Sequence, residues 1–247
     1  MGYRLHGWQK QPGFKTVESL LKKTFKFILQ DRKFKILGSS RTDAMVSANG
    51  AAFELFLFDE PLNSPDDFLD LLNLNLPPDI RAISFEKVDE KFNIINNPKT
   101  KEYIYLFSFG QKNHPFCAPL MAGFQQDLDV ELMKEGASIF KGTHNFKNYC
   151  VGATEKTQFT RTLITSEIRI NDIYSASFFP QDSYAYHVEG SGFLRYQIRL
   201  MMGTLVQLGM GEKTLSDITR SLKPENEEVI NFIAPASGLI LENINFY

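Results

Sequence analysis

Apolar residues recur every three or four positions in four stretches of the chain, and this spacing predicts four amphipathic helices. The first helix follows Thr16, a good N-terminal cap, and the second begins at Ser64-Pro65, a cap followed by a proline suited to the first turn. Asp129 can cap a third helix that runs to about Lys141. We expect the fourth helix over residues 193–205, with a buried stripe formed by Leu194, Ile198, Met201, Leu205 and Leu208.

Runs rich in aromatic and β-branched residues lie between these helices and predict strands. They cover residues 51–58, 103–107, 163–170, 174–179, 183–188 and 237–241. The run at 51–58 is almost continuously apolar, so we expect that strand to be largely buried. Strands and helices in this order predict an α+β fold.

A loop of small and polar residues runs from Gly38 to Gly50, immediately before the predicted strand at 51–58. It displays Arg41, Thr42 and Asp43 beside a rigid sheet, where functional side chains are often placed. Local chemistry by itself favours a simpler interpretation, in which the aspartate and serines cap a turn.

Composition sets limits on function without choosing one. The 247 residues include 27 basic and 29 acidic residues, for a net charge of -2, so any RNA contact needs a local basic surface. Cys117 and Cys150 form no C-x-x-C pair, which excludes a zinc ribbon and suits the reducing cytoplasm. No signal peptide or apolar run of membrane-spanning length is present, and the four histidines lack metal-ligand spacing.

Seven short motifs occur in a fixed order along the chain. They are Gly7-Trp8-Gln9, Arg41-Thr42-Asp43-Ala44, Asn75-Leu76-Pro77-Pro78-Asp79-Ile80, Phe92 with Lys101-Glu102-Tyr103-Ile104-Tyr105, Gly142-Thr143-His144-Asn145-Phe146, the segment from Phe193 to Leu205, and Gly238-Leu239-Ile240-Leu241. In order and spacing this series resembles the TruA family of transfer-RNA pseudouridine synthases.

The resemblance implies an architecture. It implies two similar α/β-sandwich halves, residues 1–110 with the Asp43 loop and residues 111–247 with the arginine helix. Their antiparallel sheets join into one central sheet, and the active cleft lies between the halves. The resemblance also implies a homodimer in the cytoplasm that acts on RNA, above all tRNA, and needs neither a metal nor an organic cofactor.

The resemblance also implies roles for individual residues. Asp43 is the catalytic carboxylate, and Arg199 pairs with it, which we expect to lower its pKa and keep it ionised. Tyr103 stacks on the target base. The residues expected to contact RNA are Arg41, Thr42, Arg195 and Lys101. Arg195 and Arg199 are four positions apart on the predicted helix, so we expect them to lie on one face of it.

The chain also departs from the family pattern, and its N-terminal strand looks trimmed. Family glycines are replaced by Ser40 and Met45, a histidine by Ser47, an arginine by Ile95 and an aspartate by Asn145. Because the catalytic set survives, we expect an active pseudouridine synthase with altered substrate recognition. The alternatives are a catalytically inactive RNA-binding paralogue of the same fold and, ranked last, an α+β protein with no role in RNA.

Overall fold

A seven-stranded mixed sheet forms the centre of the protein, for which a computed structural model describes residues 1–226 and 228–246. The helices are α1 (Val17–Leu29), α2 (Pro65–Asn75), α3 (Val130–Ile139), α4 (Gln197–Gly209) and α5 (Leu215–Ser221). The strands are β1 (Phe34–Gly38), β2 (Ser47–Ala48), β3 (Phe53–Leu57), β4 (Thr100–Phe109), β5 (Ala122–Phe124), β6 (Gly142–Asn145), β7 (Thr160–Ile170), β8 (Tyr184–Gly190) and β9 (Leu239–Asn245).

The central sheet has the strand order β2-β9-β4-β8-β7-β6, and β5 adds to β4. Most neighbours are antiparallel, but β2 lies parallel to β9 and β5 parallel to β4. The hairpin of β1 and β3 forms a separate two-stranded sheet. The α+β fold class is confirmed; the central sheet is mixed rather than wholly antiparallel, and the β1–β3 hairpin stays outside it.

The predicted caps start three of the helices. Thr16 accepts a hydrogen bond from the backbone of Ser19 and completes a capping box. Ser64 caps α2 and Asp129 caps α3, each by accepting a hydrogen bond from a backbone N–H in the first turn. The short helix α5 was not predicted, although Thr214 and its partner in the first turn form a second capping box.

Two large hydrophobic cores hold the chain together. The main core packs α3, α4 and α5 against one face of the central sheet, around residues such as Tyr105, Tyr186 and Met201. The second core packs α1 and α2 over β1 and β3, with the rings of Phe25 and Phe68 stacked at a centroid distance of 6.1 Å. The loop with Asp43 leaves the β1–β3 hairpin and reaches the central sheet through β2, so it connects the two cores.

Three predicted elements need correction. Helix α4 starts at Gln197 rather than at residue 193, because Tyr196 adopts a left-handed conformation with φ of 64°. Residues 174–179 form irregular backbone with a turn at Ser177 and Phe178, and not a strand; at the start of this segment the side chain of Asn171 donates to the carbonyl of Tyr174 and accepts from its amide. Strand β3 is half-buried rather than largely buried, because β1 is its only strand partner in the described part of the chain.

None of the described helices is long and apolar enough to cross a membrane. Within residues 1–226 and 228–246, no group of three histidine, cysteine or acidic side chains is placed to hold a metal ion. Both cysteines are free thiols, with Cys117 buried and Cys150 partly exposed.

Candidate active site

The loop that carries Asp43 is fixed to its surroundings by backbone hydrogen bonds on both sides of the aspartate. Before it, the amide of Trp8 donates to the carbonyl of Thr42 at 3.1 Å. After it, the amide of Met45 donates to the carbonyl of Leu5 at 2.9 Å. Strand β2 then pairs with β9, so the aspartate sits on a loop with a well-defined path.

Two glycines allow this path, because each lets another part of the chain come closer than a Cβ atom would permit. Gly7 has φ of 79°, and a Cβ at this position would lie 2.4 Å from the carbonyl oxygen of Thr42. A Cβ on Gly38 would lie 2.3 Å from the ring of Trp8. The Gly7-Trp8 motif therefore acts in support of the loop: glycine lets the two backbones meet, and the buried indole packs on the end of β1.

Asp43 pairs with Arg199, a residue from α4 that lies 156 positions further along the chain. The distance from Nη1 of Arg199 to Oδ2 of Asp43 is 3.4 Å. Both side chains are largely buried, with 14% of the arginine and 21% of the aspartate exposed. In addition, Nε of Arg199 donates to the carbonyl of Ala234 at 2.8 Å, which orients the guanidinium toward the loop.

Burial determines the net direction of the aspartate's pKa. Removal of the Asp43 carboxyl from water raises its pKa above the ordinary value, while the charges of Arg199 and Arg195 and the hydrogen bond from Arg199 act in the opposite direction. Arg199 does lower this pKa, as expected, but desolvation outweighs the arginines, so the net pKa of Asp43 lies above the ordinary value. The arginines limit the rise that burial causes.

Tyr103 joins these two residues from β4, where an irregularity in the pairing with β9 separates it from Glu102. Its ring meets Phe193 edge to face, with centroids 5.2 Å apart. Burial raises the pKa of Tyr103 to about 12; the hydroxyl of Ser40 opposes this rise and the charge of Asp43 adds to it. The phenol is therefore neutral near pH 7 and lies within electrostatic range of the carboxylate.

Tyr196 brings the two predicted arginines together in an unexpected way. Arg195 precedes α4, so the two arginines do not share a helix face. Instead their guanidinium carbons lie near the ring of Tyr196, at 5.3 Å for Arg195 and 4.9 Å for Arg199. Tyr196 was not among the predicted site residues, since no sequence signal marks a left-handed tyrosine before a helix.

The remaining predicted site residues separate into surface and interior positions. Arg41 and Arg195 are exposed, and Arg41 makes one long contact, 3.5 Å from Nη1 to Oε1 of Gln9. Thr42 is half-buried and its carbonyl is used by the Trp8 amide. Lys101 points inward: its amine donates to the carbonyl of Ser39 at 2.8 Å, and burial lowers its pKa.

The positions that depart from the family pattern have definite structural settings. Met45 has φ of 67°, a conformation that favours the glycine of the family motif. Ser47 accepts a hydrogen bond from the amide of Gly2 at 2.9 Å. Ile95 is exposed on a turn. The side chain of Asn145 caps a turn by accepting from the amide of Lys147, so it retains an acceptor where the family has aspartate.

The chain is similar in sequence to known proteins over its whole length. Residues 137–247 match the family model described as tRNA pseudouridine synthase. The chain is 33% identical over 247 residues to tRNA pseudouridine synthase A of Dictyoglomus thermophilum, covering 100% of this chain and 96% of the relative. It is also 34% identical to the protein of that name from Staphylococcus aureus, covering 98% of this chain and 88% of the relative. The chain therefore belongs to the tRNA pseudouridine synthase A family, a family of isomerases.

Proposed function

We propose that this protein isomerises uridine to pseudouridine in RNA, with tRNA as the substrate class and Asp43 as the catalytic carboxylate. The observation that carries the proposal is the buried contact of 3.4 Å between Asp43 and Arg199. It joins two motifs far apart in the sequence. The names of the relatives, at about a third identity over nearly their whole length, support the reaction and the substrate.

The reaction needs no outside reagent. The N1–C1′ bond of uridine breaks, the base turns, and a C5–C1′ bond forms; the proton on C5 leaves and N1 gains one. Asp43 either attacks C1′ or stabilises the positive charge that develops there. Partial burial supports both roles, because a carboxylate with little water around it interacts more strongly with a charge beside it.

Arg199 and Tyr103 have complementary roles in this proposal. Arg199, held by Ala234, orients Asp43 and limits the rise of its pKa. Tyr103 stacks on the target base. Because its pKa is raised to about 12, its phenol works in the neutral form and donates or relays a proton rather than acting as a phenolate.

The surface residues contact the RNA. A uridine inside folded RNA is out of reach, so the nucleotide must be turned out of its stack into the site. Arg41 and Arg195 are exposed beside the loop and suit phosphate or flipped-nucleotide contacts, with Thr42 between the loop arginine and Asp43. The replaced family residues, among them Ser47 and Ile95, alter which RNA is recognised.

The assembly and location follow from the same proposal. Residues 1–110 supply Asp43 and residues 111–247 supply Arg199, which supports two halves with the cleft between them. We propose a homodimer, so that one RNA spans both subunits, and a cytoplasmic location, which the two free thiols support. Light scattering of the purified protein at several concentrations tests the dimer.

The test measures release of tritium from C5-labelled uridine in bulk cellular RNA and in tRNA transcripts. Wild type should release label, and Asp43→Ala should release none while it remains folded. Asp31→Ala is the matched control, because Asp31 is an exposed aspartate outside the site and its removal should leave release unchanged. Release by Asp43→Ala at the wild-type rate would refute the role of this carboxylate. If wild type binds RNA but releases no tritium, the protein is a catalytically inactive RNA-binding paralogue and not an isomerase.

A further inference from the structure

An open groove of about 750 Å³ lies at the end of the β1–β3 hairpin that is farther from the Asp43 loop. Its lining includes Lys22 and Lys26 from α1, Lys33 before β1, and the rings of Phe34 and Phe58. Phe34 pairs with Leu57 at this end of the hairpin, whereas Gly38, at the start of the loop, pairs with Phe53 at the other end. We call this feature the hairpin groove.

Positive charge is concentrated around the hairpin groove although the whole chain is slightly acidic. Four of the residues that line the groove are basic, Lys22, Lys26, Arg32 and Lys33, and none is acidic, whereas the whole chain has a net charge of -2. Lys22 pairs with Glu18, and Arg32 pairs with Asp59. Lys26 and Lys33 are exposed, and neither is paired with any described residue, so their charges are available to a polyanion.

Aromatic surface lies next to these charges. Phe58 is 67% exposed, so its ring is accessible from solvent beside the lysines that line the groove. Phe34 also lines the groove, and its ring is half-buried against Phe25. A positive groove with an accessible aromatic ring is the combination that binds single-stranded nucleic acid, since cations hold the backbone and rings stack on unpaired bases.

We infer that the hairpin groove binds an unpaired segment of the RNA substrate at a second site, away from the catalytic loop. This inference rests on the proposed function for its ligand. Four residues of strand separate Phe34 from Gly38, about 14 Å at the usual rise, so one RNA can reach both places. Lys26 and Lys33 contact phosphates, and Phe58 stacks on a base.

The experiment measures equilibrium binding of an unmodified tRNA transcript at several salt concentrations. All proteins carry Asp43→Asn, so that no turnover occurs. Lys26→Glu with Lys33→Glu should weaken binding at least tenfold and reduce the slope of log K against log salt by about 2. Phe58→Ala should weaken binding about tenfold with an unchanged slope.

Matched controls separate the groove from general effects. Lys87→Glu with Lys91→Glu makes the same change of charge at exposed positions among acidic residues, and Phe116→Ala removes a ring that is 68% exposed elsewhere. Both controls should bind as the parent does, and circular dichroism checks that every variant is folded. Groove variants that bind like the controls, or a parent that binds no tRNA, would overturn the inference.

The proposed function can fail separately from the groove. If wild type releases no tritium but the groove variants bind tRNA more weakly than the controls, the groove inference is supported and the isomerase proposal is refuted. If wild type releases tritium and the groove variants bind tRNA as tightly as the control variants, the isomerase proposal is supported and the groove inference is refuted.

Discussion

Arg199 is joined to Ala234 through both its backbone and its side chain. The amide of Ala234 donates to the carbonyl of Arg199 at 3.1 Å, and Nε of Arg199 donates to the carbonyl of Ala234 at 2.8 Å. These two bonds fix the direction of the guanidinium before any substrate binds. Nη1 is left to contact Asp43, so the geometry of the pair depends on a residue 35 positions away from Arg199.

Arg199→Lys tests whether this geometry matters beyond charge. Lysine keeps the positive charge but lacks the planar guanidinium, which contacts Ala234 and Asp43 at the same time. We expect tritium release to fall by about 10² or more, the usual scale for loss of one preorganised electrostatic contact. Arg169→Lys, in an exposed ion pair with Glu167, is the control and should leave the rate unchanged. Equal rates for the two variants would show that charge alone suffices.

The raised pKa of Asp43 predicts that this carboxylate reduces stability at neutral pH. A group whose pKa is higher in the folded state favours folding when protonated, and this contribution is lost as the pH rises through that pKa. Asp43→Asn should therefore be more stable than wild type at pH 7. The difference should disappear below the ordinary aspartate pKa of about 3.9, where both forms are neutral.

Asp59→Asn is a control in which the change in stability at pH 7 should have the opposite sign. The hydrogen bond from Arg32 holds the pKa of Asp59 below its ordinary value, so this carboxylate stabilises the fold above the unfolded pKa. The variant should be less stable than wild type at pH 7, with the loss vanishing in acid. Urea unfolding of both variants at pH 7 and at pH 3 measures the two trends. A destabilised Asp43→Asn protein at pH 7 would contradict the prediction.

Periodicity and caps predicted the helices because those signals are local, and motif order brought Asp43, Tyr103 and Arg199 into one set. What the sequence could not supply was conformational detail. Tyr196 and Met45 both occupy left-handed backbone that their residue types disfavour, so tertiary contacts must hold them there. The inward direction of the Lys101 side chain could not be predicted either. A lysine in a strand is usually exposed to solvent, and only the structure shows that the loop starting at Ser39 lies within reach of its amine.

Gly7→Ala should displace the loop that carries Asp43, and Gly13→Ala shows how much of the loss of stability comes from conformational strain alone. The two glycines have nearly equal φ values, 79° and 78°. A Cβ on Gly7 would collide with the Thr42 carbonyl, whereas a Cβ on Gly13 would meet no atom within 4 Å. Both variants should lose about 1–2 kcal/mol of stability from left-handed strain.

Gly7→Ala should lose more stability than Gly13→Ala and should release tritium at least tenfold more slowly, since an ångström-scale shift of a catalytic group has effects of this order. Gly13→Ala should retain the wild-type rate. Thermal unfolding and the release assay measure both quantities. Equal rates for the two variants would show that the loop tolerates movement at Thr42.

Lys101→Met distinguishes support of the loop from direct contact with RNA. The amine of Lys101 donates to the Ser39 carbonyl, and methionine has similar length but no donor, so the start of the loop loses an anchor. We expect kcat to fall about tenfold, on the low side of the usual effect of misplacing catalytic groups, while the Kd for RNA stays within about twofold. Lys99→Met, at an exposed position two residues earlier, should change neither quantity. Weaker RNA binding by Lys101→Met with an unchanged kcat would instead support the direct RNA contact that the sequence predicts for this lysine.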